Sequence, residues 1–145
     1  MSPRALLALR LLVFVAGATP WALALFAVRL SDLDALFATL CHQRPERTLF
    51  VFDTPMLVCS RCAGLYAGIA IGAVTPIPRF VVTHGRAIVL AALAVTVLEI
   101  AIQDLGLHAP WHATRLLTGA VLGYAASGFM FGVLRFREPT RRSWF

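Results

Sequence analysis

The sequence predicts an all-α integral membrane protein, a bundle of four transmembrane helices with a Cys/His-containing loop capping one face. Of its 145 residues, 59% are hydrophobic and 14% are charged, whereas a soluble domain carries about 25% charged residues. The apolar residues form runs long enough to cross a bilayer. The cysteines cluster in and beside the one long polar segment. Residues 1–145 are therefore predicted to form a single integral membrane domain.

Apolar runs separated by arginine-bearing segments define the spans. The first run contains Arg10, and Gly17 and Pro20 are expected to kink its helix. Arg4 and Arg10 could also open a signal peptide, but the run continues past the length of a signal h-region, so we favour a span. The predicted spans cover about residues 5–28, 62–77, 87–105 and 115–134, and the long loop covers 29–61.

The loop has its own predicted structure. A short helix opening near Ser31 ends at Cys41-His42. After it, 48–52 and 56–58 are rich in β-branched and aromatic residues, as strands are. Because Asp53-Thr54-Pro55 lies between them, we expect two short extended pieces joined by a turn.

Basic residues predict the orientation. The net charge is +6, and every basic residue is arginine. These arginines lie between apolar runs rather than along one polar stripe, which excludes a nucleic-acid partner. With a cytoplasmic N-terminus, the inner segments carry eight arginines against the single acid Glu138, whereas the long loop has four of each sign. The positive-inside rule therefore predicts a multi-pass protein of the cell inner membrane, with cytoplasmic termini and a periplasmic or exterior loop.

The loop carries a candidate metal site. Cys59 and Cys62 form a Cys-x-x-Cys pair, and Cys41-His42 lies upstream. Because Cys₃His is an established structural zinc set, Cys41, His42, Cys59 and Cys62 are the predicted ligands. Zinc is preferred over iron or copper on ligand type.

Alternatives to this ligand set remain. Since Cys41 and His42 are sequence neighbours, His108 or His112 in the other outer loop could supply the nitrogen instead. The cysteines could also form a redox dithiol, with Cys41 resolving a Cys59–Cys62 disulfide. In a third interpretation they are small apolar core residues.

Polar residues within the later spans form a second candidate site. Glu99 and Gln103 lie one turn apart on the same helix face, and Arg115 is the expected partner of Glu99. A charge at the bilayer centre costs about 2.5–3.5 kcal/mol on insertion scales, so such residues need partners. Either they form a structural ion pair, or Glu99, Gln103 and Arg115 are catalytic, with Glu99 moving a proton below the metal.

Small residues recur at four-residue spacing on two spans. One stripe is Gly64, Gly68 and Gly72, and the other is Gly119, Gly123 and Ser127. Such stripes allow close helix packing. They could serve a contact within the chain or a partner, so a homo-oligomer or a larger membrane complex is also open.

Several polar and small-residue motifs lie around the cysteines and in the later spans: Cys41-His42-Gln43, Glu46-Arg47-Thr48, Cys59-x-Arg61-Cys62-x-Gly64-x-Tyr66-x-Gly68, Glu99, Gln103 and Arg115-Leu116-Leu117-Thr118-Gly119. Through these residues the sequence resembles the family of small bacterial and archaeal membrane proteins catalogued as domain of unknown function 2085. The resemblance spans about residues 36–125, with Asp usual in the family at Glu99 and Ser at Thr48. It implies a membrane location and a shared polar site, and it supplies no activity.

Three classes of function follow. We favour a small membrane metalloprotein with a zinc site over intramembrane polar residues, its activity unassigned. A metal-dependent hydrolase at the membrane interface would use Glu99 as its proton carrier. A thiol-redox or transport component is the third class.

Overall fold

The structure is a computed structural model that describes residues 2–26, 31–41, 45–107, 109 and 111–136. It is mostly helical, and one short hairpin is inserted between the second and third helices. In chain order the elements are α1 (Pro3–Leu25), α2 (Ser31–Leu40), a 3₁₀ turn (Pro45–Arg47), β1 (Thr48–Val51), β2 (Thr54–Cys59), α3 (Ser60–Val74), α4 (Arg79–Thr83), α5 (Gly85–Asp104) and α6 (His112–Phe136).

Within these residues, three helices are long and apolar enough to cross a membrane: α1, α5 and α6. The prediction of four spans is therefore wrong for 62–77. The corresponding helix α3 has 15 residues, or about 22 Å, against a hydrocarbon core of about 30 Å. Helix α3 begins after the extended residue Cys59 and ends before the extended residue Thr75. Because Pro76 follows, Thr75 is pushed out of the helical region.

The all-α prediction is also wrong in the loop, where β1 and β2 pair as an antiparallel hairpin. Its two turn residues, Phe52 and Asp53, have φ values of 46° and 61°. Two successive left-handed residues match the right-handed twist of the flanking strands and allow a tight turn. The two predicted extended pieces are confirmed, but the turn lies at Phe52 and Asp53 instead of Asp53-Thr54-Pro55, because Thr54 and Pro55 pair as part of β2. The hairpin leads directly from Cys59 into the start of α3.

The helix directions bring the chemically interesting residues to one end of the bundle. The indole of Trp21 donates to the carbonyl oxygen of Ala63 at 3.0 Å, so the end of α1 lies beside the start of α3. Likewise Arg115, early in α6, bonds Gln103, late in α5. Helices α3 and α6 run parallel, with successive turns in register. The hairpin and these four helix ends therefore share one face, here called the Cys face.

Glycines create the tightest contact, between α3 and α6. A Cβ at Gly64 would collide with the carbonyl oxygen of Leu116, and one at Gly119 with that of Arg61. Further along, the hydroxyl of Ser127 donates to the carbonyl oxygen of Ile69 at 3.2 Å. The predicted small-residue stripes are thus confirmed as a contact within the chain, with the backbones nearly touching.

Candidate metal centre and polar network

Three separate elements bring the cysteines together at the Cys face. Cys41 directly follows α2, Cys59 ends β2, and Cys62 lies in the first turn of α3. Their three sulfur atoms all lie within 4.8 Å of one another. In a tetrahedral zinc site with Zn–S bonds of about 2.3 Å, the sulfurs are about 3.8 Å apart. The donor set and its geometry therefore fit a zinc-sized ion with little rearrangement.

The surroundings of the sulfurs favour a thiolate at Cys59 and a thiol at Cys62, whose pKa is raised by its hydrogen bond to Cys59. Cys41 is buried, and its Sγ accepts a hydrogen bond from the backbone N–H of Cys59 at 3.2 Å. The hydrogen bond from the Cys62 thiol lowers the pKa of Cys59 to about 5. All three cysteines are free. Because thiolates are both metal ligands and nucleophiles, this arrangement supports metal binding and thiol chemistry alike.

The structure does not bring His112 to the sulfurs. This residue is the exposed first residue of α6, and the group of metal-ligating side chains in the described part of the chain comprises the three cysteines. The alternative in which His112 supplies the nitrogen is corrected accordingly. His42 and His108, the other two candidates, lie outside the described residues.

Glu99 is held by partners from two other helices. Its Oε2 accepts from the guanidinium of Arg61 at 3.1 Å and from the hydroxyl of Thr118 at 2.7 Å. The side chains of Arg61 and Glu99 are only 18% and 15% exposed. The expectation that Arg115 pairs with Glu99 is therefore corrected, because Arg61 occupies that position.

Gln103 links this ion pair to Arg115. Its Nε2 donates to Oε1 of Glu99 at 2.9 Å, and its Oε1 accepts from Nε of Arg115 at 2.7 Å. Arg115 is 2% exposed, so this hydrogen bond satisfies a buried charged group that would be costly to leave unpaired. The polar network thus runs from Arg61 through Glu99 and Gln103 to Arg115. All three residues proposed as catalytic belong to it.

The polar network is connected to the sulfur cluster through α3. Arg61 lies between Cys59 and Cys62 in the sequence, so one helical turn carries both a cysteine of the sulfur cluster and the partner of Glu99. The sequence pattern did not predict this role of Arg61, although the residue stands inside the Cys-x-Arg-Cys motif. Its position at the start of α3, on the same face as Glu99, was the available signal.

These features define a class: a polytopic membrane protein with a three-cysteine cluster over an intramembrane polar network. The chain belongs to the family described as predicted membrane protein (DUF2085), which matches residues 41–130. That range contains every cysteine and the whole polar network. The expected family membership is therefore confirmed.

The chain is also similar to an uncharacterised relative. An uncharacterised protein of Methanocaldococcus jannaschii is 29% identical over 97 residues, covering 63% of this chain and 62% of the relative. The match thus spans less than two thirds of that relative's length. No solved structure matches this chain.

Proposed function

We propose that this chain is a small membrane metalloprotein that binds one zinc ion through Cys41, Cys59 and Cys62 at the Cys face. The observation that carries the proposal is the convergence of three sulfurs from three elements, all within 4.8 Å. Three soft thiolate ligands favour zinc among the divalent metals available in cells.

Charge balance supports a bound cation. Three thiolates around Zn²⁺ carry a net charge of −1. Nearby, Arg61 is balanced by Glu99, whereas Arg115 bonds the neutral side chain of Gln103 and so brings an additional positive charge. Arg115 also lies within electrostatic range of Cys59. The surplus arginine charge would neutralise the metal-thiolate centre, which lowers the cost of burying it.

His42 is our proposed fourth ligand, because it directly follows Cys41 and completes a Cys₃His set. His108 is the alternative nitrogen donor. Four protein ligands close a zinc site, and such closed sites are structural. The zinc would then fasten α2, β2 and α3 together, with no activity required of it.

The second candidate is a metal-dependent hydrolase using Glu99 as its proton carrier. The observation that favours it is that Arg61, the partner of Glu99, lies between Cys59 and Cys62 in the sequence, so the carboxylate is close to the sulfur cluster. Against it, Glu99 already accepts hydrogen bonds from Arg61, Thr118 and Gln103. A carboxylate with three donors is stabilised in its ionised form and is a weak base. We therefore favour a structural role for this residue.

Thiol-redox chemistry is the third candidate, favoured by the thiol-thiolate pair of Cys62 and Cys59. A metal measurement separates it from zinc binding. The full-length protein is purified in detergent without reductant or chelator, its metal content is measured by mass spectrometry, and its thiols are counted by alkylation. The proposal predicts about one zinc per chain and protected thiols; a metal-free protein with a Cys59–Cys62 disulfide would establish the redox alternative instead.

A variant of one proposed ligand, compared with a matched control, tests whether the cysteines hold the zinc. Cys59→Ser should lower zinc occupancy at least about tenfold, since even the outer partners of zinc ligands contribute that much. Asp53→Asn is the control, because it changes an exposed residue of the same hairpin and asparagine tolerates the left-handed turn. Full zinc occupancy in Cys59→Ser would refute the ligand assignment.

We also propose the membrane orientation. The arginine distribution puts the termini in the cytoplasm and the Cys face in the periplasm or outside the cell. Helix directions support this arrangement. Although α3 has only 15 residues, it runs parallel to α6 and carries the chain back from the Cys face, so the start of α1 and the end of α6 both point away from the hairpin.

A further inference from the structure

Apart from the sulfur cluster, the structure has a groove on the lipid-facing side of α5 and α6. It consists of two neighbouring cavities, of about 320 and 400 Å³, that share Val95 and Thr118 in their walls. Leu98, Leu117 and Val121 line it and are more than half exposed. In a bilayer this lateral groove opens directly onto lipid rather than onto water.

The lateral groove has a polar end and an apolar end. The cavity nearer the Cys face is lined by Glu99, Gln103, Thr114 and Thr118, together with apolar side chains. Apart from Thr118, the lining of the second cavity is entirely apolar and extends to Ile88. A complementary occupant must be an amphiphile with its head beside Glu99 and its chain running toward Ile88.

The dimensions fit one lipid chain from one leaflet. From Glu99 to Ile88 the helix rises about 17 Å, close to half of the hydrocarbon thickness of about 30 Å. Each cavity lies at the small end of the range of about 300–1,000 Å³ for ligand pockets. A single chain is therefore a better fit than two chains side by side.

The balanced charges in the groove wall favour an amphiphile with an uncharged head group. Among the described residues that line the groove, Glu99 is the only one with an ionic side chain, and its charge is balanced by Arg61. A charged head would be desolvated there without a counter-ion of its own. Hydroxyl and carbonyl groups suit the site better. Gln103 has two amide N–H donors, of which Glu99 takes one, and the threonine oxygens retain acceptor capacity.

We propose that the lateral groove binds one uncharged, single-chain amphiphile of the monoacylglycerol type, its chain along the apolar part and its hydroxyl-bearing head at Glu99 and Gln103. This site is separate from the sulfur cluster and does not depend on zinc. Binding from within the bilayer would place an ester-bearing lipid head beside the polar network.

Native mass spectrometry of delipidated full-length protein with 1-monooleoylglycerol tests the proposal. Ala91→Trp puts a large ring in the apolar part of the groove, and Leu117→Trp does the same from the facing helix. Ala94→Trp is the matched control, since Ala94 is an exposed alanine on α5 that lines neither cavity. We expect one lipid bound per chain, with binding at least about tenfold weaker in both groove variants and unchanged in the control.

Three outcomes would overturn the proposal. Equal binding by Ala91→Trp and the normal protein would show that the lipid lies elsewhere, and equal weakening by Ala94→Trp would show non-specific association with the apolar surface. Equal or tighter binding of oleate or phosphatidylglycerol would contradict the uncharged head. Zinc content, measured on the same samples, should be unchanged by the tryptophans, so failure of either proposal is visible independently.

Discussion

At the scale of single residues, Glu99 shows how this protein keeps a charge inside a membrane-spanning helix. Its carboxylate accepts hydrogen bonds from three helices: from Arg61 on α3, Gln103 on α5 and Thr118 on α6. Because each donor comes from a different helix, the network fixes their relative positions as well as satisfying the charge. Removing the charge of Glu99 should therefore lower the free energy of unfolding.

Glu99→Gln tests this structural role. The change removes the charge that balances Arg61 while keeping the shape, so we expect a loss of about 1–3 kcal/mol in the free energy of unfolding. Asp104→Asn is the control from the same helix end. Its ion pair with Arg47 is long, at 3.5 Å, and exposed, so its loss should cost less than about 1 kcal/mol. Denaturation in detergent measures both; a Glu99→Gln protein as stable as the normal one would favour a free catalytic base.

Residue types in this site could be predicted from the sequence, but their pairing could not. Glu99 and Gln103 were recognisable because polar residues in an apolar run need partners. The choice of Arg115 as partner assumed that a basic residue at the start of the next helix would be closest. The structure pairs Glu99 with Arg61 because α3 runs between α1 and α6, an arrangement that spacing along one chain does not encode.

At the scale of elements, α3 explains both the success and the failure of the span predictions. Its apolar composition is that of a membrane helix, but the strand before it and the prolines after it limit it to 15 residues. A hydropathy profile detects this composition, but it does not detect the extended backbone conformation that ends the helix. The glycine stripe was a better guide, because close approach requires it whatever the helix length.

Gly119→Ala should weaken the α3–α6 contact. The new methyl group would meet the backbone of Arg61 and Leu65, which cannot move without displacing α3. We expect a loss of about 1–3 kcal/mol, as is typical of overpacked interiors. Gly128→Ala on the same helix is the control, because its nearest neighbour is a valine side chain at 3.3 Å. Thermal unfolding in detergent should separate the two variants, and equal effects would argue against a backbone contact.

At the scale of the whole molecule, the helix ends and the hairpin gather nearly all of the described chemistry at the Cys face. The sulfur cluster, the polar network and the polar end of the lateral groove all lie there. The opposite end, with Arg79, Arg86 and Arg135, is basic. This asymmetry supports the proposed orientation, which the basic residues would set during insertion.

Reporter fusions test that orientation. A fluorescent protein that matures only in the cytoplasm should fluoresce when it is joined to the C-terminus. Alkaline phosphatase, active only outside the cytoplasm, should be active when inserted at the exposed hairpin turn of Phe52 and Asp53. The reverse pattern would place the Cys face in the cytoplasm and leave the metal site in a reducing compartment.

The most direct test of zinc binding at the Cys face is X-ray absorption at the zinc edge on the purified full-length protein. If Cys41, Cys59 and Cys62 bind zinc as proposed, we expect a four-coordinate ion with three sulfur ligands at about 2.3 Å and one nitrogen ligand at about 2.0–2.1 Å. A spectrum dominated by oxygen and nitrogen, with free thiols still open to alkylation, would show that Cys41, Cys59 and Cys62 do not hold the metal.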